Sequence, residues 1–254
     1  MLPQQILARD DGPAAEVVNP GGRAPICLVC EHASPAIPSS LGLLGLADED
    51  RYSHAVWDPG AGDLARSLSE RLDAPLVLGR VSRLVYDCNR PPERDDATPA
   101  RTELIDIPGN RELSPQHRAA RIREVYDAFH RILSETLDGF ASPPSLVTIH
   151  SFTPSWFGAT RATEIGLLHD ADDRMARAML ANGNDGYRKE LNQPYSAADG
   201  VTHMLNRHGT ARGLDSVMIE VRNDLLADRQ AVARVAASLH PMIAEALTNR
   251  ADAR

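Results

Sequence analysis

Short apolar runs alternate with helical patterns along most of this chain. The strand-like runs cover residues 26–30, 75–78, 83–87, 146–149, 164–168 and 216–221. Continuous apolar runs of this length are typical of strands that are buried on both faces. Because helical patterns separate these runs, we expect a mostly parallel sheet with helices covering it.

Apolar residues recur at helical spacing between the strand-like runs. Ser114-Pro115 is a good helix start, because serine caps a helix and proline fits its first turn. The helical patterns cover residues 64–72, 122–133, 171–181 and 232–247. The pattern therefore predicts a single α/β domain in which a mixed sheet carries helices on both faces.

The expected domain runs over residues 23–254, and residues 1–22 are interpreted as a loose N-terminal arm. Two long polar segments, 89–110 and 182–211, interrupt the alternation, and the first of them holds four prolines. Loops this long in a compact domain are usually either functional or disordered. We interpret both as functional loops.

Composition narrows the class of protein. The 254 residues are 43% apolar and 24% charged, which is typical of a soluble globular protein. The net charge of −8 argues against a nucleic-acid partner, because phosphate binding needs a basic surface. Three cysteines form no disulfide framework, and we find neither a signal peptide nor an apolar run long enough to span a membrane. These features predict a cytoplasmic protein without a membrane partner.

Several apolar runs end on side chains that can carry chemistry. The stretch "LVCEHASPAIP" ends a strand at His32, "SLVTIHS" ends one at His150, and "DSVMIEVR" carries Glu220 near its end. In open α/β sheets, ligands bind beyond the carboxyl ends of the strands. Two histidines and a glutamate at such an edge could therefore meet in one site.

Two imidazoles, one carboxylate and an open position describe a catalytic zinc site. Asp58 lies in the Pro/Gly turn of "HAVWDPGAG", from which a loop could bring it to a Zn²⁺ or another divalent metal bound by His32 and His150. His54 is the alternative third ligand. Glu220 would then act as the general base on a metal-activated water. The plainer interpretation is that both histidines end strands and face water.

Cationic and polar residues suggest an anionic substrate. A guanidinium can bind a carboxylate through two parallel hydrogen bonds, although ion pairs with the acids of this chain are the plainer alternative. His208, in the second long loop, could line a pocket or be solvated. The candidates for substrate binding, besides His208, are Arg83, Asn89, Arg90, Arg161 and Arg222.

The motifs "CEHASPAIP", "HAVWDPGAGDLARSL", "SRLVYDCNRP", "IPGN", "IHSFTP", "NQPYS" and "MIEVRNDLL" occur here in this order. As a set they resemble the N-formylglutamate amidohydrolase family over roughly residues 25–245. The resemblance implies a three-layer sandwich similar to the zinc-dependent exopeptidases. It also implies hydrolysis of N-formyl-L-glutamate to formate and glutamate, late in histidine breakdown.

The resemblance also implies roles for individual residues. It makes His32 and His150 the histidine ligands, and Glu220 the glutamate that activates water. The pair Asn89-Arg90 resembles an Asn-Arg pair that holds a substrate carboxylate.

The chain departs from the family pattern at two positions. Pro35 stands where an HxxE motif would place a glutamate after His32, so the choice of Asp58 as third ligand is our own inference. Gln193 stands where many relatives carry glutamate. Other N-acyl amino acids are therefore equally plausible substrates.

Two alternatives to this function stay open. One is a carboxylate-binding protein that has kept the fold and lost catalysis. The other is an aspartoacylase-like or carboxypeptidase-like hydrolase on the same metal site.

Overall fold

A seven-stranded mixed sheet forms the centre of the protein in a computed structural model that describes residues 5–103, 105–183 and 186–252. Its order is β1-β3-β2-β6-β11-β9-β10, and two small hairpins, β4–β5 and β7–β8, lie outside it. In chain order the strands are β1 (Ala15–Val18), β2 (Ile26–Cys30), β3 (Leu76–Gly79), β4 (Arg101–Thr102), β5 (Ile105–Asp106), β6 (Ser145–Phe152), β7 (Ser155–Trp156), β8 (Ala159–Thr160), β9 (Ile165–Leu168), β10 (Lys189–Leu191) and β11 (Ser216–Arg222).

The central strands of the sheet run parallel, as the sequence pattern predicts. Strand β2 pairs in parallel with β3 and β6, and β6 pairs in parallel with β11. Antiparallel pairs occur between β1 and β3 and between β9 and β11. Every residue of β2 and β6 is buried, as expected for strands that are covered on both faces.

Helices cover both faces of the sheet, so the predicted α/β three-layer architecture is confirmed. One apolar core joins the sheet to α1, α4 and α5, and a second joins it to α3. The helices are α1 (Ala61–Leu72), α2 (Pro115–Arg121), α3 (Asp127–Asp138), α4 (Arg174–Ala181) and α5 (Arg229–Asp252). Among the described residues, no helix combines the length and apolar content needed to cross a membrane.

Helix α2 begins where the sequence predicts. The Ser114 side chain accepts a hydrogen bond from the backbone N–H of His117, and Pro115 occupies the first turn. A π-helical turn over Ile122–Tyr126 then leads directly into α3.

Residues 83–87, predicted as a strand, instead form a turn over 83–85 that continues into irregular backbone at 86–87. Side chains take the backbone carbonyls that a neighbouring strand would have bonded: Asn110 donates to Leu84 O at 2.8 Å and Arg121 donates to Val85 O at 3.1 Å. The apolar residues of this segment pack into the second core, which is why their pattern resembles that of a buried strand.

The N-terminal arm is also more ordered than the sequence suggested. Residues 15–18, expected within a loose arm over 1–22, form the edge strand β1 and pair with β3. The Glu16 carboxylate accepts hydrogen bonds from Arg66 and Arg80, which fix β1 to the edge of the sheet.

Candidate metal centre and active site

A cavity of about 430 Å³ opens at the carboxyl ends of β2, β6 and β11. His32 lies two residues beyond the end of β2, His150 lies near the end of β6, and Glu220 lies near the end of β11. Both long loops contribute to the walls, so the strand ends and these loops together form one site. This is the edge at which an α/β sheet normally binds its ligand.

Three of the predicted residues form a compact group at the bottom of this cavity. The ligand atoms of His32, Asp58 and His150 all lie within 4.8 Å of one another, and all three side chains are buried. Asp58 Oδ2 lies 3.3 Å from His32 Nδ1 and 2.9 Å from His150 Nδ1. His54 lies outside this group, because its Nε2 donates to Glu103 Oε2 at 2.8 Å.

Each imidazole of the group also faces a carboxylate on its other side. His32 Nε2 donates to Asp87 Oδ1 at 2.8 Å, and His150 Nε2 lies 3.3 Å from Glu31 Oε1. Glu31 is fully buried, and its oxygens accept no hydrogen bond of good geometry from the described residues. A proton on each Nε2 leaves both Nδ1 lone pairs free, which is the tautomer of a metal-bound histidine.

Neighbouring charges strongly shift the pKa values of these groups. Burial by itself would raise the pKa of Asp58, but His32, His150 and Arg83 hold that pKa well below its usual range. Burial disfavours an imidazolium at His150, yet the neighbouring Glu31 and Asp58 raise its pKa well above the usual value. A metal that binds here therefore has to compete with protons for the nitrogens of this group.

The residues of this group fit a divalent metal. Ligand atoms bound about 2.0–2.2 Å from one Zn²⁺ lie roughly 3.3–3.5 Å apart. The separation of 3.3 Å between Asp58 Oδ2 and His32 Nδ1 matches this range, and the 2.9 Å between Asp58 Oδ2 and His150 Nδ1 is shorter. The buried carboxylates in and around this group also outnumber its positive charges. Among the described residues, only one permanent cation, the Arg83 guanidinium, contacts them directly. The buried carboxylates are Glu31, Asp58, Asp87 and Glu220.

Glu220 has the environment of a general base. It lines the cavity, and it is the direct neighbour of His150 across the parallel pair β6–β11. Burial raises the pKa of its carboxyl to about 7, against the opposing charge of His150. A base with a pKa near the working pH accepts and returns a proton efficiently.

The substrate-binding candidates separate into different roles. Arg83 lines the cavity but is bound to Asp58 and Asp87, at 3.1 and 2.8 Å. Asn89 also lines it, but both ends of its amide are used: it donates to Val201 O and accepts from the N–H of Met204. Asn89 thereby links the two long loops, and only one N–H of its amide nitrogen is left for a substrate.

Arg90 keeps part of its hydrogen-bonding capacity. Its Nε donates to Asp96 at 3.3 Å and its Nη1 donates to the backbone oxygen of Asn89. Asp96 is bound more closely by Arg94, through two hydrogen bonds of 2.6 and 2.7 Å. Arg90 Nη2 has no partner among the described residues, so it can still contact an anion in the cavity.

Arg161 lies behind the aromatic wall of the cavity. Its guanidinium carbon is 5.6, 5.2 and 4.8 Å from the ring centroids of Phe152, Trp156 and Tyr195, all of which line the cavity. Arg222 lies further out, where it contacts Asp224 and donates to the backbone oxygen of Arg161. Arg222 therefore supports the wall and does not line the cavity.

His208 is not a lining residue either. It is buried beside His130, whose Nδ1 lies 2.7 Å from His208 Nε2, while His130 Nε2 donates to Cys88 O at 3.1 Å. The prediction that His208 contacts substrate is not supported, because this pair packs behind the turn that carries Asp87 and Asn89.

Sequence reasoning did not assign roles to Glu31 or Asp87. A signal was present for each, since Glu31 directly precedes His32 and Asp87 lies two residues before Asn89. Their function depends on the far nitrogen of each imidazole, and a linear sequence does not show where that nitrogen points.

The fold and this cavity define an α/β protein with a candidate metal centre at the ends of its parallel strands. The profile of the N-formylglutamate amidohydrolase family matches residues 24–227, and the chain belongs to this family, which places it among hydrolases of amide bonds. No curated protein matched the chain.

Two solved structures share the fold. A gene product of Agrobacterium tumefaciens is 46% identical, with a TM-score of 0.93, over 96% of this chain and 99% of that one. The N-formylglutamate amidohydrolase of Ralstonia eutropha is 17% identical, with a TM-score of 0.69, over 94% of this chain and 99% of that one. At that identity the second similarity concerns the fold alone.

Proposed function

We propose that this chain is a metal-dependent amidohydrolase that cleaves the amide bond of N-formylglutamate or a related N-acyl amino acid. One observation carries the proposal. The Nδ1 atoms of His32 and His150 converge on Asp58 Oδ2, while the Nε2 atom of each ring faces a buried carboxylate. Such an arrangement prepares two neutral imidazoles and one carboxylate for a divalent cation.

In this proposal His32, Asp58 and His150 hold Zn²⁺ or another divalent metal. When bound, the metal supplies Lewis-acid chemistry: it polarises a carbonyl and lowers the pKa of a coordinated water. Asp87 and Glu31 keep the protons of the two imidazoles on Nε2, which leaves both Nδ1 lone pairs available.

Glu220 moves the proton. Its carboxylate takes a proton from the attacking water and passes it to the nitrogen of the leaving amine, so that the amide bond breaks to a carboxylic acid and a free amino acid. The raised pKa of this buried carboxyl, about 7, suits both halves of the transfer. The neighbouring strands β6 and β11 fix its position relative to His150.

Arg90 binds the α-carboxylate of the substrate. It lies one residue after Asn89 and three after Asp87, which contacts His32, so its position is coupled to the metal group. Arg161 is the second candidate, but it would have to leave its contacts with three aromatic rings, because it does not line the cavity. Because Arg83 is bound to Asp58 and Asp87, we assign it to offsetting part of the negative charge of the buried acids.

Metal analysis tests the proposal most directly. Protein purified without an immobilised-metal resin should hold about one divalent ion per chain. Dialysis against a chelator should abolish release of formate from N-formylglutamate, and added Zn²⁺ should restore it. Undiminished hydrolysis in the metal-free protein would contradict the proposal.

Glu220→Gln separates an enzyme from a carboxylate-binding protein. This variant should keep the metal but lose roughly 100- to 10,000-fold in kcat, because the amide cannot accept the proton. If acidic N-acyl amino acids raise the Tm of the wild type without being consumed, the non-catalytic alternative gains support instead.

A panel of formyl, acetyl and peptide substrates distinguishes the proposed activity from an aspartoacylase-like or carboxypeptidase-like one. Sequence does not make this choice, because one acyl group changes binding by only about 1–3 kcal/mol. A cytoplasmic location and a place in histidine breakdown also stay predictions.

A further inference from the structure

The cavity is lined by three arginines, and one of them has no acidic partner. Arg83 binds two buried carboxylates, and Arg90 contacts Asp96. Arg101, at the start of β4, lines the same cavity and is exposed, yet its guanidinium makes no ion pair or hydrogen bond with any residue that the structure describes. Its charge is therefore available to a ligand.

The hairpin that carries Arg101 is fixed independently of that side chain. Asp106 lies opposite Arg101 in the β4–β5 register, but it contacts Arg111 at 3.3 Å. At the turn, Glu103 accepts a hydrogen bond from His54, which itself lines the cavity. The backbone is thus held at the cavity while the Arg101 guanidinium stays free.

The carboxylates that line the cavity near its mouth are already engaged. Asp96 accepts hydrogen bonds from Arg94 and Arg90. Asp199 accepts the backbone N–H and the hydroxyl of Ser196 at 2.7 and 3.1 Å. The remaining lining acids belong to the metal group and its base, so none of the described carboxylates neutralises Arg101.

We propose that Arg101 binds a second carboxylate, at the end of the substrate's side chain, an inference that rests on the proposed amidohydrolase function. The α-carboxylate is separated from the scissile amide by one carbon atom, so its anchor must be close to the metal group. Arg90 suits that position, because its side chain is only 13% exposed and follows the turn that contacts His32. A side-chain carboxylate extends further from the amide, towards an exposed cation at the mouth.

Arg101 then defines the substrate class as N-acyl derivatives of amino acids with an anionic side chain. The Thr102 hydroxyl also lines the cavity beside it and can donate to the same anion. A neutral amide of equal size would occupy the same space without the charge. Arg101 is therefore a specificity-determining residue, and it takes no part in the proton transfer or in metal binding.

The experiment compares two substrates of nearly equal shape, N-formyl-L-glutamate and N-formyl-L-glutamine, in the wild type and in Arg101→Met. Methionine keeps much of the apolar stem and removes the charge. We expect kcat/KM on the glutamate substrate to fall roughly 10- to 100-fold, mainly through KM, because one charge-assisted contact is lost. On the glutamine substrate the variant and the wild type should be equal.

Arg111→Met is the matched control, since it removes a nearby surface arginine that does not line the cavity. It should leave both substrates unaffected. Arg101→Glu should reverse the preference, favouring N-formyl-L-lysine over N-formyl-L-glutamate relative to the wild type. Metal content and Tm, measured on every variant, identify any loss of folding.

The outcomes separate this inference from the function on which it rests. Equal losses on both substrates, or no loss on either, in a folded and metal-loaded Arg101→Met would overturn the role of Arg101 and leave the amidohydrolase function intact. A wild type that hydrolyses no N-acyl amino acid would overturn both. A wild type that prefers the glutamate substrate, with that preference lost in Arg101→Met alone, supports the inference.

Discussion

Two buried histidine pairs lie on either side of the turn that carries Asp87 and Asn89, and their surroundings differ completely. In the pair His32–His150 the ring centroids are 5.0 Å apart at an interplanar angle of 71°. In the pair His130–His208 the centroids are also 5.0 Å apart, but the rings are stacked at 10°. Equal separation and burial therefore do not determine what a pair of imidazoles does.

The difference lies in the acids that surround each pair. Three carboxylates contact His32 and His150, and they raise the pKa of both imidazoles against the effect of burial. No described carboxylate hydrogen-bonds to His130 or His208, and burial lowers their pKa values to about 2 and about 3. We infer that the first pair is arranged for a cation and that the second pair is a neutral structural contact.

The largest expected effect comes from deleting one imidazole of the first pair. His150→Ala should lose its metal, and its kcat/KM should fall roughly 1000-fold or more, because the metal contributes several kcal/mol to the transition state. His208→Ala removes a histidine of the second pair and should keep its metal stoichiometry. If both variants retained the metal equally, the contrast between the pairs would be wrong. Metal analysis and formate release measure both quantities.

The acids behind the first pair should have the next largest effect. Glu31→Gln keeps the shape of the side chain but removes the charge facing His150 Nε2. Metal affinity should fall roughly 10- to 100-fold, as for other carboxylates that orient metal-binding histidines. Asp87→Asn should act on His32 in the same way. Competition with a chelator of known affinity measures the metal affinity. An unchanged affinity in both variants would contradict the role of Glu31 and Asp87 in orienting the two histidines.

Acid should destabilise the second pair specifically. The unfolded chain binds protons at these histidines near the ordinary pKa of 6.5, whereas the folded protein does so only near 2–3. The free energy of unfolding should therefore fall as the pH drops below about 6.5. Between pH 7 and pH 5 each histidine should account for about 2 kcal/mol of the loss.

The check on this acid effect is a comparison of variants in urea unfolding. His208→Asn should show about 2 kcal/mol less loss between pH 7 and pH 5 than the wild type. His240→Asn, in α5 on the opposite face of the sheet, serves as the control and should lose as much as the wild type. An identical loss in all three proteins would show that the second pair does not carry the effect.

The smallest expected effect separates packing from hydrogen bonding within the second pair. His130→Gln can still donate a hydrogen bond to Cys88 O, whereas His130→Leu cannot. The leucine variant should be less stable than the glutamine variant by about 1 kcal/mol, the usual net value of one hydrogen bond. Urea unfolding at pH 7 measures the difference, and equal stabilities would mean that the contact with Cys88 O contributes nothing.

Strand ends were the part of the site that the sequence predicted well. Three of the site residues end or nearly end apolar runs: His32, His150 and Glu220. The apolar pattern and the place of these residues at its ends were therefore enough to predict that they lie at one edge of the sheet. The pattern misled at residues 83–87, because apolar residues in turns that pack into a core look like a buried strand.

Contacts between distant segments were not predictable in the same way. His208 was placed in a binding loop, but its partner His130 lies 78 positions away and covers it. The sequence does not single out Arg101, because an unpaired arginine is recognisable only when the positions of all its acidic neighbours are known. Pairing is a three-dimensional property, and one sequence carries no direct record of it.

The adjacency of His150 and Glu220 across β6 and β11 has a consequence for protein engineering. Their spacing is set by the ladder of a parallel sheet, with neighbouring strands about 4.8 Å apart, and the hairpins at the mouth take no part in it. Residues 101–106 and 155–160 can therefore be randomised as exchangeable cassettes. Libraries of this kind would sample new selectivities while the reactive geometry beneath them is inherited unchanged.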